Sequence, residues 1–335
     1  MWAYLTRRLL LSTLAVFGVL VITFFLSHVI PGDPIAAILG PQAPDHVIED
    51  LRRRWGLDRP IPEQFVRYLS LLARGDLGRS IATNRPVLDD LREFFPATVE
   101  LATAAILVGV TLGMAVGIVS AVARGRWVDH VVRFVSLIGL SMPVFWLGLI
   151  ALLVFYFWAG VLPGPGQLDI LISRPPRVTG LILVDSVLAR DGVALRNALA
   201  HMVLPALVLG SHTLVGIARI TRASMLEVLG QEYIKAARAK GLAERTVILR
   251  HALKNALLPI VTVIGIYYGS LLEGAVLTET VFAWPGLGRY ATSAILSQDF
   301  AAVMGVTLLI ALIFSLANLV VDLLYAALNP RIRYE

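Results

Sequence analysis

The sequence predicts an all-α polytopic membrane protein with six transmembrane helices, on three observations. Hydrophobic residues make up 57% of the 335-residue chain and charged residues 16%, against about 45–50% and about 25% in soluble domains. Mean hydropathy is +0.78. The apolar residues gather in six runs near the roughly 20 residues that cross a bilayer: 9–30, 98–123, 134–162, 202–220, 256–277 and 301–328. A soluble fold this apolar would expose large greasy patches, and a disordered chain would lack the core-forming residues present here in excess. The absence of cysteine excludes disulfides, iron–sulfur clusters, thiolate zinc sites and cysteine nucleophiles.

The first run follows Arg7 and Arg8, as in a signal sequence. Its 22 residues exceed the ~7–15 of a cleaved hydrophobic region, and no small-x-small site follows, so it reads as a retained span. Residues 31–97 form a small helical extracytoplasmic domain. Asp45 caps a helix over 46–55, and 62–74 carries helical spacing through Phe65, Tyr68, Leu69 and Leu72. Gly75-Asp76 and Gly78 punctuate it, and a helix restarts over 86–95.

In the second span Gly109, Gly113 and Gly117 stand four apart, with Ala121 next. Such a smooth face lets helix backbones approach closely in lipid; it serves helix packing or transport. Gly265 and Gly269 repeat the pattern in the fifth span, and Pro143 and Pro259 imply kinks. The fourth span is interrupted by Pro205, Ser211, His212 and Thr213. The stretch 163–201 reads as irregular, and 281–299 holds a Trp284-Pro285-Gly286 turn. Glu273 and Glu279, at the outer end of the fifth span, either meet a charged substrate or anchor the outer loop.

The sixth span carries a polar stripe of Ser315, Asn318, Asp322, Tyr325 and Asn329. A charged Asp facing lipid costs about 2.5–3.5 kcal/mol at the bilayer centre on insertion scales. The stripe therefore faces protein or water, as a pathway or partner-subunit surface or as a hydrogen-bond network near the cytoplasmic end.

Charge placement sets the direction. With the N-terminus inside, the inside segments hold 15 of the 29 Lys+Arg, including all three lysines, against five acids. The outer segment before the second span is long enough to cross regardless of charge and does not vote. Both termini therefore face the cytoplasm. In this setting the net charge of +6 points to loop topology and anionic lipid rather than nucleic acid.

Catalytic signatures are missing. The three lysines are followed by Ala236, Gly241 and Asn255, so there is no Gly-Lys-Ser/Thr loop to cradle phosphates. Gly286, Gly288 and Ala291 match GxGxxA by chance, in an outer loop with no preceding strand. No histidines stand at HExxH spacing, and GxSxG is absent. His201 and His212 flank the fourth span as structural residues.

The longest inside loop runs from about 221 to 255. Residues 224–240 have helical character, Gly241 suits the left-handed turn that ends a helix, and 242–255 restart with Val247, Leu249 and Leu253 among Arg245, Arg250 and Lys254. This is either a rigid amphipathic knob for a partner's groove or a basic helix lying on anionic lipid.

At this loop the sequence resembles a known family. Ala236-Ala237, three residues and then Gly241 are similar to the coupling-loop signature of importer permeases powered by ATP-binding cassettes, and His251-Ala252-Leu253-Lys254-Asn255-Ala256 follows at the spacing of the peptide-transporting branch. Lys235 stands where the general signature has Glu, and the Ile-x-Leu-Pro ending is replaced, as is usual in that branch. Further matches are HVIPGDP at 28–34, GDLGRS at 75–80, SMPVFW at 141–146, TRASMLEVL at 221–229, TETVFAWPGLGR at 278–289 and NPRIR at 329–333. The resemblance covers nearly the whole chain and is strongest to the first permease of dipeptide importers; oligopeptide, glutathione and nickel importers share the architecture.

The resemblance implies a type I importer permease fold in the bacterial inner membrane. It implies that Glu232, Lys235, Ala236, Ala237, Gly241, His251 and Asn255 form an ATPase-coupling loop, and it leaves Asn318, Asp322 and Tyr325 for the pathway or subunit interface. The implied partners are a second homologous permease, two ATPase subunits that bind the ATP and Mg, an extracytoplasmic solute-binding protein and a peptide substrate; this chain holds no cofactor and is not an enzyme. The implied division is 1–30 (N-terminus and first span), 31–97, 98–328 with the loop at 221–255, and 329–335. A passive channel or receptor is the competing class.

Overall fold

The computed structural model describes residues 2–29, 44–55, 58–273 and 275–328. Helix α1 is Trp2–Val29, followed by α2, Asp45–Trp55, and α3, Ile61–Leu72. The apolar face of α3 packs on α1: the Phe24 ring lies 5.0 Å from that of Phe65 and 5.9 Å from that of Tyr68. Leu20 and Phe24 are buried here with Met304 of the last helix. Motifs HVIPGDP, beyond Val29, and NPRIR lie outside the described residues.

Helix α4, Val87–Val122, runs without a break through Pro96. A proline at that position lacks the N–H that would bond the carbonyl of Arg92. The Arg177 guanidinium donates to that carbonyl instead, at 2.6 Å. The helix restart expected at 86–95 and the second span are therefore one rod.

The third apolar run is not one span-long helix. It forms α5, Trp127–Ser141, and α6, Val144–Ala151, which continues as a π-helical stretch, Leu152–Trp158. Residues Trp127–Gly139 and Val144–Trp158 meet at 98°. The kink expected at Pro143 is a right-angled break, because Met142 and Pro143 are both extended and a residue before proline avoids the α region.

The stretch expected to be irregular holds α7, Ile182–Leu188, and the start of α8, Gly192–Leu229. The Asp191 side chain caps α8 by accepting from the amides of Val193 and Ala194. Pro205, Ser211, His212 and Thr213, expected to interrupt the fourth span, are absorbed into this 38-residue helix. Ser211 and Thr213 turn their hydroxyls onto the carbonyls of Val208 and Gly210 and so carry no unpaired donor into the apolar core.

A short helix α9, Glu232–Ala239, precedes α10, Leu253–Leu272; then come α11, Val276–Val281, α12, Leu287–Leu296, and α13, Phe300–Leu328. Five helices among the described residues are long and apolar enough to cross a membrane, six if the bent pair counts as one span.

The core is the seam between α4 and α8. A Cβ on Gly113 would stand 2.7 Å from the Leu214 carbonyl oxygen, and one on Gly117 would stand 2.6 Å from that of Ala218. The glycine stripe is thus a backbone-to-backbone contact face. Gly210 answers from α8, where a Cβ would stand 2.8 Å from the Ala105 carbonyl. Leu101, Ala102, Ala105, Met202, Ala206 and Ile217 fill the seam. In α10 a Cβ on Gly269 would meet Ala317 of α13 at 3.0 Å.

Candidate functional site

Helix α8 ends at Gly230, and α9 sets off from Gln231. The helix expected over 224–240 is therefore split: Ser224–Leu229 belong to the long rod and only Glu232–Ala239 stand out as a knob. Gly241 follows with φ +77°, the left-handed turn that its sequence position predicted. Nothing lies within 4 Å of where a Cβ would be, so a side chain here is opposed by the backbone conformation and not by crowding. The return segment is not a second free helix. Glu244–Thr246 and the π-helical Val247–Ala252 run straight into α10.

Two faces of α9 have separate work. Ile234 and Ala237 are buried, with Val247, Ala252, Ala256, Ile260, Met225 and Ala121 around them. This apolar underside fixes the knob to the ends of α4, α8 and α10, and the small Ala237 lets α9 sit close. Glu232, Lys235, Ala236, Gly241 and Asn255 are exposed, and His251 is half-buried. Tyr233, Leu242 and Leu249 add exposed apolar surface to the same knob. Lys235 donates to Glu232 at 2.7 Å, and Arg238 grips Glu244 through two bonds at 2.7 and 3.1 Å across the turn. Hydrogen bonding to Glu244 raises the Arg238 pKa further, so the guanidinium stays charged. Asn255 closes the knob by donating to the Tyr233 hydroxyl at 2.8 Å and to the His251 carbonyl at 2.9 Å. The structure thus brings all seven sequence-singled residues to one protrusion, by a Tyr233 contact that a pattern of spacings does not reveal.

At the opposite end of the bundle lies a second built assembly. Glu279 is fully buried, accepting from the Thr98 hydroxyl at 2.8 Å and the Arg289 amide at 3.0 Å. Thr98 in turn accepts from the Leu287 amide at 2.8 Å, and the Trp284 indole donates to the Ala97 carbonyl at 2.9 Å. Gly286 and Gly288 form the cradle: a Cβ on Gly286 would strike the Glu279 carboxyl, and one on Gly288 would strike the Val276 backbone at 2.7 Å. Burial pushes Glu279 above the usual carboxylate range, against the lowering effect of the bonds from Thr98, Arg289 and Gly288. Of the two roles open to Glu279 the structure places it as the anchor. Glu273, by contrast, has one buried carboxylate oxygen without a hydrogen-bond partner.

Asp299 ties the GDLGRS loop into this end. It accepts from the Ser80 hydroxyl at 2.6 Å, from the amides of Ile81 and Ala82 at 2.7 and 3.1 Å, and from the Ala302 amide at 3.1 Å in the first turn of α13. The bond from Ala302 is a local N-cap, which an Asp ahead of an apolar run can signal; the bonds from Ser80, Ile81 and Ala82 come from 217–219 residues away, and no spacing reveals them.

Ser315 and Asn318 of the polar stripe are half-buried on α13. The side chains of Asp322 and Tyr325, and the whole of Asn329, lie outside the described residues.

A bundle of membrane-length helices with an ordered knob at one end and a hydrogen-bonded cap at the other defines an all-α polytopic membrane protein. The comparisons agree with that class. Residues 113–334 match the model of "Binding-protein-dependent transport system inner membrane component", and residues 1–102 match its N-terminal companion. The chain belongs to this family. It is 49% identical to the probable D,D-dipeptide transport system permease protein DdpB of Escherichia coli (strain K12), over 99% of this chain and 97% of that one. It is 44% identical to the di/tripeptide transport system permease protein DppB of Pseudomonas aeruginosa (strain UCBPP-PA14), over 100% of both. It is 39% identical to the glutathione transport system permease protein GsiC of Escherichia coli O6:H1, over 99% of both.

Proposed function

We propose that this chain is one of two permease subunits of an ATP-driven importer that carries dipeptides or other short peptides across the bacterial cytoplasmic membrane. The single observation that carries the reading is the knob at 232–255: an exposed helix and turn, clamped from beneath by an apolar face, on a chain whose sequence has no phosphate-cradling loop of its own. Such a shape suits insertion into the groove of a partner that hydrolyses ATP. The knob then lies in the cytoplasm with both termini, as the positive-inside count requires, and the cap around Glu279 lies outside, where a solute-binding protein delivers the peptide. A second homologous permease closes the other half of the pathway, and Asn318, Asp322 and Tyr325 are the residues we assign to the pathway or subunit interface, on the sequence alone for the last two. The peptide substrate rests on the names of the dipeptide and di/tripeptide relatives. The glutathione relative keeps a tripeptide-like solute in view.

The reading predicts that a bulky residue at Gly241 uncouples transport. A β-branched side chain at φ +77° is opposed by roughly 1–2 kcal/mol or more, so Gly241→Val moves the turn without disturbing the buried underside of α9. In vesicles holding this chain, its partner permease, the ATPases and the binding protein, Gly241→Val is expected to cut ATP-dependent uptake of labelled dipeptide at least tenfold, with membrane yield unchanged. Undiminished uptake overturns the coupling role. Asp322→Asn that transports normally rules out a required charge at that position.

A further inference from the structure

We propose that α5 lies in the plane of the membrane leaflet on the knob side and holds anionic phospholipid headgroups through Arg124, Arg126 and Arg133. The first ground is geometric. Residues Trp127–Gly139 and Val144–Trp158 meet at 98°, so both cannot run along the bilayer normal. Val144–Trp158 is apolar all round, whereas Trp127–Gly139 exposes His130 and Arg133, so the former stands and the latter lies flat.

The second ground is the distribution of side chains around α5. The Val128, Asp129, Val132 and Ser136 side is buried or half-buried against the protein, where α5 packs on α4 and α8. Asp129 anchors it. Arg222 of α8 donates to its carboxylate at 2.8 and 2.9 Å, and Ser120 of α4 donates at 2.7 Å. Trp127, Val131, Phe134, Val135 and Ile138 form a separate, exposed apolar stripe, with Trp127 75% and Phe134 64% exposed. His130 and Arg133 occupy a third side and touch each other at 2.8 Å; the exposed Leu137 lies between them one turn on, so this side is polar toward the start of α5 and apolar toward its end. One side on protein, one apolar, and charged groups confined to the entry and first half of the helix is a pattern that suits a helix seated at a membrane interface.

The third ground is charge. Arg124 and Arg126 are exposed on the loop that enters α5 and pair with no carboxylate among the described residues. Arg133 lies 3.8 Å from Asp129, but that carboxylate already holds Arg222 through two bonds. Arg124 and Arg126 therefore stand at the head of the apolar stripe with no counter-charge among the described residues, and Arg133 shares the single Asp129 carboxylate with Arg222. Anionic headgroups match that pattern; a protein partner covering the stripe is the alternative that the test decides. The leaflet is the cytoplasmic one under the orientation proposed above, but the geometry does not depend on the transport reading.

The chain contains no cysteine, so single substitutions take a nitroxide without background. The full chain bearing Trp127→Cys, Val131→Cys, Phe134→Cys or Ile138→Cys is placed in phosphatidylcholine vesicles containing phosphatidylglycerol. Equal depths are expected from oxygen and nickel-chelate collision rates. A crossing helix would instead spread these four over about 16 Å, at ~1.5 Å per residue, and that gradient overturns the proposal. Spin-labelled phosphatidylglycerol is then expected to be enriched over labelled phosphatidylcholine at the protein boundary. Replacing Arg124, Arg126 and Arg133 by glutamine lowers that enrichment by about five-fold per cation, the factor that ~1 kcal/mol each converts to, and replacing them by lysine preserves it. Unchanged enrichment in the glutamine variant overturns the headgroup assignment. Labels that lose oxygen contact when partner subunits are added show a protein cover and overturn it as well.

Discussion

Glu279→Leu is expected to open the cap at the end of the bundle opposite the knob. The substitution strips an acceptor from a buried donor, the Thr98 hydroxyl, and from a partly buried one, the Arg289 amide. A buried donor left unsatisfied costs about 1–3 kcal/mol, and the partly buried Arg289 amide adds less. The damage propagates, because Thr98 also receives the Leu287 amide and the fully buried Trp284 sits in the same corner. Thermal unfolding in detergent, followed by the tryptophan emission that a Trp284→Phe control removes, should show a lowered midpoint and a red shift before global unfolding. An unchanged midpoint would mean that the carboxylate is not the anchor.

The pH dependence has a defined sign. The Glu279 pKa is raised in the folded state, so the folded state holds the proton more tightly than the unfolded chain. Its contribution to stability is complete below the ordinary carboxylate value, about 4.3, and is lost as pH rises through the folded value. The midpoint for the cap is therefore expected to fall with rising pH above about 4.3, and Glu279→Gln to flatten that slope.

Gly113→Leu is the second large effect. A new Cβ would stand 2.7 Å from a carbonyl oxygen of α8 and 3.1 Å from the Ile217 Cβ. Backbone cannot yield as a flexible side chain does, so the helices must separate along the central seam. Overpacking costs about 1–3 kcal/mol and occasionally more, and this site belongs at the upper end because the obstruction is main chain. The expected readout is loss of folded protein in detergent at temperatures that wild type survives. Gly18→Ala is the control. Nothing lies within 4 Å of that Cβ, and alanine in a helix is favoured over glycine by up to about 1 kcal/mol. If the two variants behaved alike, close packing of α4 on α8 would not be what the glycine stripe provides.

Much of this was legible in the residues. Glycines four apart announced a close helix contact, and Gly241 announced a left-handed turn, since both are local demands on backbone geometry. The partner of the stripe was not legible: facing Leu214 and Ala218 depends on how α4 and α8 cross. The third run misled for a related reason. Hydropathy sums composition over a window, and Ser141-Met142-Pro143 sits inside an apolar run that is long enough to span, so the sum conceals a right-angled break. Pro205 misled in the other direction, because a breaker in isolation is tolerated when neighbouring helices hold the rod. Glu279 and Glu273 read alike in sequence; only Thr98, some 181 residues away, distinguishes the anchor from its neighbour.

By itself the sequence determined the solvent of this protein and its broad plan: helices that satisfy their own backbone bonds in lipid, six apolar runs, and one protruding loop with a glycine hinge. These follow from local periodicity and from the cost of unpaired polar groups in a bilayer. The tertiary structure alone decided which helices touch, where the third run turns aside, which buried acids are tied down and how Tyr233 and Asn255 close the knob. Those outcomes depend on pairings between residues far apart in the chain, and spacing along a sequence carries no distance in space.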